Sequence, residues 1–375
     1  MEIILNPQRF DLMAKYLYIK HYDKNLNCSF FKDLYIKHFI TFNNCFEYPD
    51  PHLPNGNSKK TPDDFIKEFN LLIENMKVNG FDSNYPVPIG NNNIIINGAH
   101  RLITSYYLNI NPVFKKCNEN GNPDYNYNFF LNRPGTNPSL DRLYSDTMAL
   151  EYIKHNQNIR AMIVYPTAFT KNKIKNVFDI IQQYGYIYYK KIIKLNKNGI
   201  NNLVKEIYRG EEWIGGLFPQ GYSPGGKAMR CVTEKDFPTI LILIEMKDLN
   251  KCVELKEKCR ELFDLGKHSV HISDYTEDTY RIGSSLLNEN SIHFLNNGTN
   301  DIPANTKTIL QTIFNENCDN KENICINNNI SNKLFNINSD SNTNKNYLIS
   351  NNYNDETIYN PNHFFYFNSF KFKKI

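Results

Sequence analysis

Asn97-Gly98-Ala99-His100-Arg101 is the stretch whose reading decides the N-terminal half of the chain. A short apolar run, Ile94-Ile95-Ile96, comes before it and reads as a strand. Leu102 to Leu108 follows and reads as a helix. Strand, glycine turn and helix in that order leave backbone N–H groups unpaired at the positive end of a helix dipole. A His and an Arg on the first helical turn make that spot suit an anion, phosphate above all. Glycine lets the backbone approach the ligand closely, and the planar guanidinium of Arg101 can meet two oxygens at once.

Working outward, Thr61-Pro62-Asp63-Asp64 has the make-up of a helix start: a capping Thr, Pro at the first helical position and acids in the first turn. Phe65, Phe69, Leu72, Ile73 and Met76 recur at helical spacing up to Gly80. Pro86 to Ile89 reads as a short strand, Gly90 to Asn93 as a turn, and Asn111 to Lys115 as a closing strand. This succession, with Gly98, His100 and Arg101 at its centre, resembles the ParB/sulfiredoxin superfamily over about residues 35–116. The resemblance implies a nucleotide-phosphate-binding core, with Asn97, Gly98, His100 and Arg101 around the phosphates. Departures separate the branches. Ala99 stands where sulfiredoxins carry their cysteine, so that activity is excluded. Asn97 is neutral where many relatives have an acid. No helix-turn-helix domain follows, as it does in the DNA-segregation branch. What remains resembles the free-serine-kinase branch. It implies ATP or another nucleoside triphosphate with Mg²⁺, and a small hydroxyl compound or sugar as acceptor. An acid in the loop 43–51 then serves as base; Glu47 and Asp50 are the candidates, and Glu47 is taken. Glu47, Asp50, Glu245 and Asp274 are the unranked candidates for holding Mg²⁺.

Length and composition bound the rest. The 375 residues suggest two domains and an appendage. A net charge of +4, with 22% charged residues, gives no basic surface of the kind nucleic-acid binding uses. Eight cysteines, none in a CxxC pair, read as reduced thiols rather than a zinc ribbon. No leader and no apolar run of about 20 residues is apparent, so a cytoplasmic protein that does not cross a membrane is expected. Residues 8–22 read as a helix, with Phe10, Met13, Ala14, Leu17 and Tyr18 on one face. Leu34 to Phe42 alternates in part and reads as a half-buried strand. Ser139 to about Asn156 reads as a helix that closes the first domain, residues 1–156.

The second domain, 157–300, alternates strands and helices. Strands are expected at Ile159–Pro166, Ile187–Leu195 and Pro238–Met246. Helices are expected at Asn172–Tyr184, Ile200–Tyr208 and Leu249–Phe263. This rhythm suggests a ferredoxin-like α+β sandwich, so the fold class is α+β throughout. Between Gly266 and Thr279 lies the densest polar cluster. Its run of His271, Ser273-Asp274 and Glu277 looks like the catalytic segment of nucleoside diphosphate kinases. That resemblance implies that His271 carries a phosphoryl group and Glu277 orients its ring. It departs at Tyr165, where a Lys is expected, and at Ile272, where a small residue is. The glycine-rich loop 215–226, followed by Lys227 and Arg230, adds N–H groups and cations for a second phosphate. His268, His271 and Asp274 lie on a strand-like segment, so a zinc site is the poorer reading. From residue 301 the chain is rich in Asn and aperiodic, and is expected to be largely disordered. An aromatic end, His363 to Phe372, reads as a strand or a contact for a partner. The functional expectation is a nucleotide-dependent phosphotransferase. The alternative is a nucleotide-binding switch, or a nucleic-acid-associated relative, with no small-molecule turnover.

Overall fold

A computed structural model describes residues 5–24, 29–43, 59–132, 138–208, 211, 213, 225–297, 324–326, 347–350, 364–367 and 370–374. The fold is mixed helix and sheet, α+β, as expected. The chain divides into two compact units, 1–152 and 153–375, a few residues before the expected boundary.

Unit 1 is built on helix α1 (Asp11–Asp23), which is buried on almost every side from Asp11 to Ile19. Beside it runs α2 (Ser29–Asn43), and this corrects the strand expected at Leu34–Phe42. Phe31, Leu34, Tyr35, His38 and Phe39 are all buried, a spacing of three and four that only a helix presents on one side. A window of nine residues showed the local alternation and missed this longer period. Helix α3 (Pro62–Asn79) starts as its sequence dictates. Thr61 accepts from the Asp64 N–H, Asp64 reaches back to the Thr61 N–H at 2.9 Å, and Gly80 closes the helix at φ 75°.

Strand β1 (Val87–Ile89), helix α4 (Ala99–Leu108) and strand β2 (Phe114–Lys116) follow, with β1 and β2 paired in parallel. Ile94–Ile96 is not a full strand. Ile95 makes a single antiparallel bridge to Ile89, because Asn93 at φ 59° turns the chain back sharply onto β1. Short α5 (Tyr127–Leu131) and α6 (Pro138–His155) end this part of the chain.

Unit 2 holds a four-stranded sheet made of β3 (Ile159–Val164), β4 (Gly185–Ile193), β5 (Thr239–Met246) and β6 (Val270–Ile272). Its order is β4-β5-β3-β6, and every neighbouring pair is antiparallel. Helices α7 (Ile174–Tyr184) and α10 (Cys252–Phe263) cover one face. Val177, Ile181, Leu255, Cys259 and Phe263 pack there on Met162, Val164, Ile240, Ile242 and Ile244. Leu241 and Leu243, on the alternate positions of β5, are also fully buried. Helix α11 (Thr276–Leu286) lies along β3 and packs with α8 (Lys197–Ile207) and α12 (Glu289–Asn297). An unbroken apolar run in β5 therefore reflects a strand covered on both faces, where a two-layer sandwich would cover one.

Between β4 and β5 the chain also forms α9 (Gly225–Cys231). Beyond residue 300 the described residues form four strands: β7 (Ile324–Ile326), β8 (Tyr347–Ser350), β9 (Phe364–Phe367) and β10 (Phe370–Lys374). They pair antiparallel in the order β7-β8-β10-β9. The aromatic end, His363 to Phe372, which reads as a strand from its sequence, holds β9 and most of β10, whereas Asn-rich surroundings hid β7 and β8. No helix among the described residues is long and apolar enough to cross a membrane.

Candidate functional sites

The turn at residue 97 forms as its sequence requires. Gly98 adopts φ 79°, a left-handed conformation, and α4 begins at Ala99 with no side chain capping it. The exposed Asn97 turns its Oδ1 onto the Gly98 N–H at 2.7 Å, a local bond that shapes the turn. A Cβ on Gly98 would meet Nη2 of Arg101 at 3.0 Å, so the guanidinium lies folded over the bare glycine. Gly98→Ala is expected to cost about 1–2 kcal/mol from the backbone alone and to push Arg101 off the turn. A melting curve and a nucleotide titration on the variant check both effects together.

His100 points inward. Its Nε2 lies 3.0 Å from the Tyr35 hydroxyl, and its ring packs edge-on to Phe69 at 4.5 Å and nearly parallel to Phe39 at 5.6 Å. Burial holds the imidazole well below its usual pKa, and the nearby cations Lys15, Lys59 and Arg101 push the same way, against Asp11. The ring is neutral at pH 7. It supports the turn from behind, and its charge is not available to a phosphate.

Sequence reading missed what stands next to it. Arg9 grips Asp11 through two bonds, Nε to Oδ1 at 2.8 Å and Nη2 to Oδ2 at 2.9 Å, and Lys15 adds a third at 2.7 Å. All three side chains are at most 6% exposed. Arg9 also donates to the Ile95 carbonyl at 3.1 Å, which ties α1 to the chain just ahead of Gly98. A narrow cleft opens between α1 and α2, lined by Asp11, Lys15, Tyr35, His38, Phe39 and Phe42. The signal was present in the sequence. Arg9, Asp11 and Lys15 sit in a segment whose apolar residues surround the helix, so its charged residues had to be buried as a set.

Among the expected acids, Glu47 and Asp50 lie outside the described residues. Asp11 bears electrostatically on the His100 ring, and Arg9 and Lys15 bond both of its oxygens. Committed to those two cations, Asp11 does not offer Mg²⁺ an open carboxylate. No group of three or more His, Cys, Asp or Glu suited to a metal occurs among the described residues of the chain. Glu245 accepts from the Asn156 side chain at 2.9 Å.

In unit 2, His271 lies on the edge strand β6 and is 7% exposed. Its Nδ1 meets the Tyr208 hydroxyl at 3.2 Å, so a tyrosine at the end of α8 orients the ring. Glu277, expected in that role, is exposed on the first turn of α11 and makes no hydrogen bond to His271. Asp274 is also exposed and pairs with Lys256 at 2.5 Å. Burial, and then Lys256, Lys227, Arg260 and Arg281, hold the His271 imidazole well below its usual pKa.

Lys227 is buried. Its ammonium lies over the rings of Tyr165 and Tyr208, 5.3 Å from each, and donates to the Lys267 carbonyl. Arg230 lies on the exposed side of the same helix. Most of the glycine-rich loop ahead of them, residues 214–224, lies outside the described residues. Cys117, Cys231, Cys252 and Cys259 are free thiols, in line with the reduced reading of those four. Comparison with protein-family models, with curated proteins and with solved structures finds no match to this chain.

Proposed function

We propose that the protein is a nucleotide-dependent phosphotransferase whose unit 1 holds the nucleotide phosphates at the Gly98–Arg101 turn. On this reading the β1–α4–β2 unit is a ParB/sulfiredoxin-like core, and the β4-β5-β3-β6 sheet is a ferredoxin-like sheet with added helices. The carrying observation is the left-handed Gly98 at the uncapped start of a ten-residue helix, with the Arg101 guanidinium over it. Lys15 and Lys59 add positive charge around the adjoining His100 ring, and Asp11 opposes it. A helix start, a guanidinium and two ammonium groups are the kind of equipment that phosphoryl transfer needs for charge neutralisation. His271 is the proposed phosphoryl carrier, with Tyr208 holding its ring.

The test is incubation of the full chain with ATP, CTP or GTP, Mg²⁺ and a pool of small hydroxyl compounds and sugars. A phosphorylated acceptor is expected, and its rate should fall at least 100-fold in His271→Ala. Unchanged turnover in that variant would make unit 2 a scaffold. One observation favours the alternative, a nucleotide-gated switch. Asp11 already accepts three hydrogen bonds from Arg9 and Lys15, and these cations hold its carboxyl far below the usual range, so it is a poor base. Tight nucleotide binding with no product from any acceptor would establish that reading instead.

A further inference from the structure

Away from Gly98, basic side chains also gather in unit 2. One cluster stands out because its charges are not balanced. Lys227 on α9, Arg260 on α10, and Lys267 and His268 on the turn before β6 all converge. Lys227 and Lys267 both bear on His268, and so do Arg230 and Arg260. Lys227 itself feels Arg260 and Lys267. Glu257, at 2.6 Å from Arg260, is the one carboxylate paired with any of these groups among the described residues.

Like charges do not gather at a buried lysine without cost. Burial disfavours its charged form and pulls Lys227 down to about 8; Cys231 opposes this, while Arg260 and Lys267 add to it. In place of a carboxylate, Lys227 has two phenol faces and one backbone carbonyl. Three polar atoms lie buried here with no hydrogen-bond partner among the described residues: the Tyr165 hydroxyl, on a side chain 0% exposed, Nε of Arg260 and Nδ1 of His268. Tyr165 lies under the Lys227 ammonium, and its hydroxyl lies within the field of Tyr208, Cys231 and Arg260. Buried donors without acceptors are rare in folded proteins and call for an explanation. A dianionic oxygen group would satisfy these donors and balance the charge at the same time.

We infer that unit 2 carries an anion site of its own, formed by Lys227, Arg260, Lys267, His268 and the Tyr165 hydroxyl, for the phosphate group of a small phosphorylated compound. Arg230, exposed on the same helix, guides the anion in. This site does not depend on the nucleotide reading of unit 1, nor on phosphoryl transfer through His271. Its sequence signal was partial. Lys227 and Arg230 follow a glycine-rich loop, but Tyr165 and Arg260 join them only through the turn after β3 and the helix ahead of β6.

The experiment uses the full chain carrying Arg101→Ala, so that any binding at the unit 1 turn is silenced and the two sites are read apart. Inorganic pyrophosphate is titrated by calorimetry at low salt. Saturable binding is expected, weakened at least tenfold by adding Lys227→Met and about threefold by adding Tyr165→Phe. If Lys227→Met does not fold, judged by circular dichroism, the exposed pair Arg230→Ala with Lys267→Ala replaces it, and a fivefold loss is expected. Absence of binding in the Arg101→Ala chain would overturn the inference. So would titration curves that the Lys227 or paired substitutions leave unmoved.

Discussion

Arg101→Ala is expected to weaken nucleotide binding at least 100-fold and to leave the melting temperature within a few degrees of the parent. The side chain is only partly buried, and its guanidinium lies on the Gly98 turn rather than in the core. Truncating one partner of a close charge pair at a binding site costs about 2–5 kcal/mol, which is roughly 30-fold to several thousandfold in affinity. Lys15 and Lys59 cannot make up the loss. An ammonium is a point charge and does not reproduce the two parallel bonds of a guanidinium. Lys15 is moreover committed to Asp11 at 2.7 Å. Arg101→Lys should recover only part of the affinity, because it restores charge without the fork. Calorimetry with ATP, CTP and GTP on parent and both variants reads the result directly. Equal affinities in parent and Arg101→Ala would remove the turn from the binding site and the nucleotide reading with it.

Part of this site was legible in the sequence because its signals are local. Gly98 in a left-handed turn, a helix starting at Ala99 and Arg101 on its first turn follow from five consecutive residues. The Thr61 cap and the Gly80 stop are local in the same way. Order along the chain also gave unit 2 its alternation of strands and helices, since each segment carries its own period. What stayed hidden depends on contacts between segments far apart in sequence. Tyr35 reaches His100 across 65 positions, and Arg9 reaches Ile95 across 86. The same holds for Tyr208 with His271, 63 positions away.

In that case a nearer residue, Glu277, looked like the better partner. The first turn of α11 leaves it exposed, whereas the end of α8 brings the Tyr208 hydroxyl onto the ring. The error over α2 had a different cause. Leu34, Ile36, Ile40 and Phe42 fall on alternate positions, whereas the buried set Phe31, Leu34, Tyr35, His38 and Phe39 has the spacing of three and four of a helix. Charged residues inside α1 were the largest omission. Read as an amphipathic helix, the segment left Asp11 and Lys15 on the surface, while the fold buries them as a closed set with Arg9.

Unit 1 is expected to lose stability steeply as pH falls from about 6.5 to 4.5, and three histidines set this window. Burial holds His38 down to about 3 and His21 down to about 4, and it holds His100 well below its usual value. His38 stacks on Phe130 with 3.6 Å between ring centres, and its Nε2 has no hydrogen-bond partner among the described residues. His21 stacks on Phe31 at 3.4 Å and donates from Nδ1 to the Leu17 carbonyl at 2.7 Å. In the unfolded chain all three take up a proton near pH 6.5, while in the folded chain they stay neutral to much lower pH. The unfolded state therefore binds more protons throughout this window, and folding stability falls as pH falls. Each such histidine contributes a slope of about 1.4 kcal/mol per pH unit, so three together give about 4 kcal/mol per unit. That is comparable with the whole stability of an ordinary domain within two pH units. Asp11 acts in the same direction but lower. Its ion pairs with Arg9 and Lys15 outweigh burial and hold the carboxyl far below 3.8, so its contribution is lost only as pH drops through and below that value. Urea titrations followed by circular dichroism at pH 7.5, 6.0 and 5.0 measure the slope. His38→Phe keeps the stacking on Phe130 and removes one proton acceptor, so it should flatten the slope by about a third. Stability that stays level between pH 7.5 and 5.0 would show that these rings are not buried as neutral groups, and the aromatic wall behind the Gly98 turn would have to be redrawn.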